Sequence, residues 1–279
     1  MSLSEALRLL DSNDGAKVLA GGQSLVTLMK LRLASPTALV DINGIAELTH
    51  IREDNGTVRI GALTRHDQIA RSSIIRKNLT LLAEAAGGIA DQQVRNRGTL
   101  GGSLAHADPT ADLPTACTAL EATILAASAG GSRSIKSDNF FRDYFTTALR
   151  QGEIIQEVRI PIPPSGSGGS YLKLNRGHSD FAIVGVAAQI TVDRDHVCRA
   201  ASVVLGSVAP VPCHAKGTER FLVGRTLDNG VIKEGAQKAS EGLNPVSDLR
   251  ASAEYRLEMA RVLTGRAIEI SANRATGSV

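Results

Sequence analysis

The sequence predicts an α+β chain built from two units in series, and three observations carry that expectation. Short apolar strands alternate with helical periods over the first part of the chain. Residues 161–169 (PIPPSGSGG) then have the Pro/Gly/Ser composition of a linker. Beyond them come three strand-like stretches and one long helical tail. The expected division is a first domain over residues 1–163, a linker over 164–169 and a second domain over 170–274.

Ser2 and Glu5 have capping-box spacing ahead of Leu7, Leu9 and Leu10, which predicts a helix over residues 2–10. Turn residues at 11–15 lead into a strand at 17–20. Ser24 opens an apolar run through Leu25, Leu28, Met29, Leu31 and Leu33, read as a helix, and residues 38–42 form the next buried strand. The opening is therefore a small βαβ-like unit. Residues 58–62 alternate like a strand, Thr64 is read as the cap of a helix containing Ile69, and the Leu/Ala-rich residues 79–89 as a buried helix. Residues 113–120 are expected to be helical with Pro114 in the first turn, and 122–126 and 154–162 to be strands. After the linker, strands are expected at 170–175, 181–192 and 201–208, with a turn at 176–180. Met259, Val262, Leu263, Ala267 and Ile270 then mark the core stripe of a last helix.

Composition narrows the function. The chain has 279 residues, 43% of them hydrophobic and 21% charged, enough for a sizeable core. A formal net charge of only +3, with acids and bases interspersed, gives no electrostatic support for nucleic-acid binding. Aromatics at 3% and the absence of Trp argue against base-stacking platforms. Cys117, Cys198 and Cys213 lack metal-ligand spacing and form an odd, sparse set, as expected of reduced thiols in the cytoplasm. No signal peptide or bilayer-length apolar run is seen.

Two glycine segments carry the chemistry. Residues 94–112 (VRNRGTLGGSLAHADPTAD) gather Gly98, Gly101 and Gly102 with Thr99, Ser103, Thr110 and Asp112. Residues 19–25 (LAGGQSL) repeat the pattern: an apolar run, a Gly pair, then Gln and Ser. Glycine lets main-chain N–H groups approach a ligand, and consecutive free N–H groups make a concavity suited to phosphate. The plainer reading of each is a turn. Neither is G-x-G-x-x-G, and no Walker pattern occurs, so a Rossmann fold and a P-loop NTPase are disfavoured. Asp112 reads either as a helix N-cap or as an acceptor for a ribose or an adenine edge, and the two are compatible. His106 is read as a packed loop histidine; His50, His66, His178, His196 and His214 are scattered and read as structural or surface residues. No nucleophile–base–orienter trio is visible, so Ser24, Thr99 and Ser103 read as phosphate donors and not as nucleophiles.

The segments AGGQSL (residues 20–25), VRIGALTRH (58–66), VRNRGTLGGSLAHADPTADLP (94–114) and RGHSDFAIVGVAA (176–188) together resemble the FAD-binding medium subunit of the molybdenum hydroxylases, the group of carbon monoxide and xanthine dehydrogenases. The resemblance spans almost the whole chain in order. It implies a two-lobed FAD-binding domain of the PCMH type followed by a CO dehydrogenase flavoprotein C-terminal domain. It also implies an electron-transfer role, a large molybdopterin-binding subunit, a small subunit with [2Fe–2S] clusters and a dimer of heterotrimers. The expected location is the cytoplasm, with attachment to the inner face of the membrane as a second option. Residue by residue, Ala20, Gly21, Gly22, Gln23 and Ser24, and Thr99, Leu100, Gly101, Gly102 and Ser103, correspond to the two loops around the FAD diphosphate. Asp112 corresponds to a carboxylate on the adenosine part, Ile155 to an apolar residue near the isoalloxazine, and Lys173 to a basic residue that polarises the ring. No residue of this chain is expected to be catalytic or to bind metal. Gln23 stands where His or Thr is common and Ser103 where Asn is common. Members carry an aromatic- and Pro-containing segment before the first helix, whereas this chain opens almost on it. That motivates the alternative of an assembly subunit of the same fold without flavin. A valine at position 101 is expected to block the phosphate.

Overall fold

The computed structural model describes residues 1–177 and 179–277. His178, within the expected turn at 176–180, lies outside the described residues. Helix α1 (Leu3–Ser12) starts on the predicted capping box: Glu5 N–H donates to Ser2 Oγ at 3.2 Å, and Ser2 N–H to Glu5 Oε2 at 3.4 Å. Strand β1 (Lys17–Leu19), α2 (Leu25–Lys30) and β2 (Leu39–Asp41) form the βαβ unit, with β1 and β2 parallel. The helix expected through Leu33 ends early. Arg32 takes a left-handed φ of 59°, Leu31 and Leu33 are exposed, and α2 buries no residue. The lobe's small core is filled by Ala6, Leu7 and Leu10 of α1 with Val40, Ile42 and Leu63, and α2 contributes no residue to it.

The chain continues through β3 (Ile51–Asp54), β4 (Thr57–Gly61), α3 (His66–Arg71), α4 (Ser73–Asn78), α5 (Thr80–Gly87), α6 (Gln92–Arg95), α7 (Leu100–His106) and α8 (Asp112–Ala119). It then forms β5 (Thr123–Ser128), β6 (Gly131–Lys136), β7 (Phe141–Asp143), β8 (Thr146–Thr147) and β9 (Ile154–Pro161). An antiparallel sheet of order β3-β4-β9-β5-β6 stacks one face on α5, α7 and α8 through Val58, Ile60, Leu81, Leu104, Leu113, Ile124 and Val158. Each such fully buried aliphatic side chain contributes roughly 1.5–3 kcal/mol of transfer free energy. Thr64 caps no helix; its hydroxyl donates to the His50 carbonyl at 3.1 Å, and Arg65 is the N-cap of α3.

Strand β10 (Ser167–Leu174) begins inside the stretch read as a linker. With β11 (Val184–Val192), β12 (Cys198–Gly206) and β13 (Cys213–His214) it makes a second antiparallel sheet, order β10-β11-β12-β13. Helices α9 (Lys216–Leu222) and α10 (Asn229–Gln237) follow, and α11 (Ala253–Thr276) lies across β10 and β11. The expected stripe on α11 is partly wrong: Ala260, Leu263, Ala267, Ile268 and Ser271 are buried, whereas Met259, Val262 and Ile270 are only half-buried. At its C-terminal end the helix approaches the sheet closely. A Cβ on Gly168 of β10 would sit 2.1 Å from the Ser271 carbonyl oxygen, so the end of α11 presents its backbone and small side chains to β10. Among the described residues, no helix is long and apolar enough to cross a membrane.

Candidate functional site

The two glycine segments meet. A Cβ on Gly21 would lie 2.2 Å from the Arg97 carbonyl oxygen and 2.9 Å from Gly98 Cα, so the segments touch backbone to backbone. Gly22 takes a φ of +74°, which favours glycine, and turns the chain from β1 towards α2. The N–H groups of Gly21, Gly22, Gln23 and Ser24 find no acceptor among the described residues. The Ser24 side chain makes no cap hydrogen bond either, and Gln23 Nε2 donates back to the Gly21 carbonyl at 3.3 Å. Four free N–H groups in succession form a concavity of the kind that suits an anion.

The second segment is different. Residues 100–106 are helical, and Thr99 is the N-cap, its Oγ1 accepting from Gly102 N–H at 3.1 Å. Leu100 N–H donates to the Thr64 carbonyl at 3.0 Å and Gly101 N–H to the Ala62 carbonyl at 2.8 Å. The open nest expected over Leu100, Gly101 and Gly102 is therefore not there: all three N–H groups are used within the protein, and the Leu100 side chain fills the core. What stays free here is the Thr99 N–H and the Ser103 hydroxyl, neither of which has a partner among the described residues. Gly101 is glycine for an internal reason. Its Cβ would lie 2.6 Å from Ala62 Cβ, so a valine there breaks packing against the end of β4.

Three residues without an assigned role tie the segments together. Arg65 donates through one terminal nitrogen to the Arg97 carbonyl and through the other to Asn43 Oδ1 at 2.8 Å. Asn43 Nδ2 in turn donates to the Ala20 carbonyl at 2.7 Å. His66 N–H donates to the Gly98 carbonyl at 3.1 Å, and its ring fills the place a Cβ on Gly98 would take, 2.5 Å from Nε2. Burial, then repulsion from Arg65 and Arg95, pushes the His66 imidazole down to about 4, so it is neutral. The VRIGALTRH segment held Arg65 and His66 in plain view, but only the fold brings them under residues 97–99.

Asp112 does not cap α8; Ala111 occupies that position, and Asp112 is the first helical residue. Its buried carboxylate accepts from the Tyr171 hydroxyl at 2.7 Å and from Lys173 Nζ at 2.9 Å, and Lys173 also donates to the Gly88 carbonyl at 3.2 Å. Burial pushes the Asp112 carboxyl up, against the pull of Lys173 and Tyr171. Asp112 and Lys173, expected at different parts of the cofactor, are thus in direct contact. Lys173 also lines a cavity of 330 Å³ with Leu172, Leu263, Arg266 and Glu269. Ile155 is buried in the core of the larger sheet, with 4% of its surface open. The larger cavity, 410 Å³ beside His50, Arg52, Arg59 and Glu157, shares no residue with either glycine segment.

A family model described as the FAD binding domain in molybdopterin dehydrogenase matches residues 1–163, and one described as the CO dehydrogenase flavoprotein C-terminal domain matches residues 169–270. The chain belongs to the FAD-binding medium subunits of the molybdenum hydroxylases. It is 41% identical over 275 residues to the 6-hydroxypseudooxynicotine dehydrogenase complex subunit alpha of Paenarthrobacter nicotinovorans, covering 98% of this chain and 93% of that protein. It is 39% identical over 268 residues to the carbon monoxide dehydrogenase medium chain of Hydrogenophaga pseudoflava, covering 96% and 93%. Among solved structures, quinoline 2-oxidoreductase from Pseudomonas putida 86 matches with a TM-score of 0.94 at 36% identity, covering 99% of this chain and 95% of that one. As a medium subunit of this family the chain is an oxidoreductase component with the α+β, two-domain architecture expected of it.

Proposed function

We propose that this chain holds FAD as the electron-transfer component of a molybdenum hydroxylase, in the cytoplasm, with the domain limits 1–163 and 170–274. The observation that carries this reading is the run of four N–H groups, Gly21 to Ser24, that lack an acceptor at the point where residues 97–98 close over them. A diphosphate fits there: it needs several donors at once, and the adjoining Arg65 and Arg97 guanidiniums form no ion pair with a carboxylate among the described residues. Ala20, Gly21, Gly22, Gln23 and Ser24 would supply the main-chain donors. Thr99 and Ser103 would add an N–H and a hydroxyl, while Leu100, Gly101 and Gly102 act by packing the segment in place. Asp112 and Lys173 would hold one polar end of the cofactor as a single charged pair, and Ile155 would present a small apolar surface.

When bound, FAD supplies the redox chemistry, linking the [2Fe–2S] clusters of a small partner subunit to an external acceptor. Hydroxylation of the organic substrate would fall to a large molybdopterin-binding subunit. Two such heterotrimers would pair in the full assembly. The protein's own part is to bind, orient and shield, which suits a site with no acid–base dyad. The test is to denature the purified assembly and identify the released flavin. Stoichiometric FAD is expected, together with co-purification of a molybdopterin and an iron–sulfur subunit. A folded chain that takes up no flavin on reconstitution would overturn the reading in favour of the assembly-subunit alternative.

A further inference from the structure

We infer that Arg65 and Asn43 form a brace that sets the spacing of the two glycine segments and places a permanent positive charge behind the bound diphosphate. The inference rests on the reading of this chain as an FAD subunit and assigns positioning residues to that site.

The Asn43 amide is fully used, and Arg65 spends both terminal nitrogens on bridging contacts while its charge stays unpaired among the described residues. Asn43 Oδ1 accepts from Arg65, and its Nδ2 donates both to the Ala20 carbonyl and to Asp41 Oδ1, each at 2.7 Å, so no donor of the amide is left over. Arg65 reaches across to the Arg97 carbonyl. One guanidinium and one amide thus join the carbonyl that precedes Gly21 to the carbonyl that precedes Gly98, the two glycines that face each other. With these carbonyls held, the free N–H groups of residues 21–24 keep a fixed relation to residues 97–99.

Charge makes the second half of the case. Arg65 is half-buried and makes no ion pair among the described residues, while Arg97 repels it from nearby. Asp41, the acid closest in effect, is already engaged by the Asn43 side chain and main chain. A partly buried cation next to a second cation, with no carboxylate in contact, is costly unless an anion completes it. The diphosphate is that anion. The brace therefore holds the two segments at a fixed separation before the ligand arrives, which lowers the cost of binding.

The test uses the full chain freed of flavin, titrated with FAD by fluorescence and with ADP by calorimetry at several salt concentrations. Arg65→Met should weaken both ligands at least tenfold and flatten the salt dependence of ADP binding, while the unliganded chain keeps one cooperative unfolding transition. A purely structural role would not move that salt slope. Asn43→Ala should weaken FAD severalfold, and the double variant should be no worse than Arg65→Met, as expected of one unit. Should Arg65→Met fail to fold, Arg65→Lys carries the test: it keeps the charge and the salt slope but loses the bridging geometry and several-fold affinity. Unchanged affinities in a folded Arg65 variant would overturn the brace and leave the FAD reading intact. A parent chain that binds neither FAD nor ADP would overturn both.

Discussion

Lys173 Nζ stands 2.9 Å from the Asp112 carboxylate, and this buried pair joins the first domain to the first strand of the second. Around it the same interface is reinforced by Glu84, which accepts from the Tyr171 N–H at 2.9 Å and from Arg274 at 2.6 Å. The pair proposed to hold one polar end of the cofactor thus also contributes to the contact between the two domains.

Removing one partner of a buried pair leaves the other uncompensated, a loss of about 3–5 kcal/mol. Lys173→Met should therefore lower the stability of the flavin-free chain by about that amount, since the Asp112 carboxylate stays buried. The double variant Asp112→Asn with Lys173→Met should lose less than the sum of the singles. Urea unfolding of the four proteins closes the cycle, and additive losses would show that the two groups do not interact.

Acid sensitivity should arise at two named groups. Burial alone would raise the Glu157 carboxyl, but Arg59, Arg159 and His50, donating at 2.9, 2.7 and 3.0 Å, hold it at about 2. A carboxyl depressed on folding contributes stability that is complete above its unfolded value of 4.5 and is lost as pH falls towards 2. His66 is likewise depressed, from 6.5 to about 4, so its contribution is complete above pH 6.5 and is lost between 6.5 and 4. Each window is worth roughly 3 kcal/mol at 1.36 kcal/mol per pH unit. His66→Gln should flatten stability between pH 6.5 and 4 and leave the lower limb alone; Glu157→Gln should do the reverse. Urea midpoints followed from pH 7 to pH 3 would reveal the two windows, and identical profiles for parent and both variants would refute the assignment.

Much of the fold was readable from local pattern, because local pattern caused it. The capping box of α1 lies within residues 2–5, and the alternation of β4 reflects one sheet face turned to a core. What could not be read depends on neighbours distant in sequence. The close seat of the end of α11 depends on Gly168, and the N–H groups of residues 100 and 101 are taken by Thr64 and Ala62. β6 (GSRSIK) left little signal, since only Ile135 in it is buried. In the site, the glycines were visible as glycines, but which backbone each one approaches was not. Nothing in the sequence singles out Arg65; the fold places Arg97 and Asn43 on either side of it.

That distinction separates two glycines that looked equivalent. At Gly21 the contact is between the two segments: an added Cβ falls 2.2 Å from the Arg97 carbonyl oxygen, in a turn outside both strands and helices. At Gly101 it is within the core: an added Cβ falls 2.6 Å from Ala62 Cβ, against the end of β4, where Leu100 and Leu104 are fully buried. Gly21→Ala should push the segments apart, weakening FAD at least tenfold while the unliganded chain melts within a few degrees of the parent. Gly101→Val should overpack the core by about 1–3 kcal/mol, lowering the melting temperature whether or not flavin is present. Thermal melts of the flavin-free chains beside FAD titrations measure both effects. If Gly21→Ala lost stability as Gly101→Val does, the contact at Gly21 would belong to the core and not to the cradle; if it bound FAD like the parent, the diphosphate would not lie between the segments.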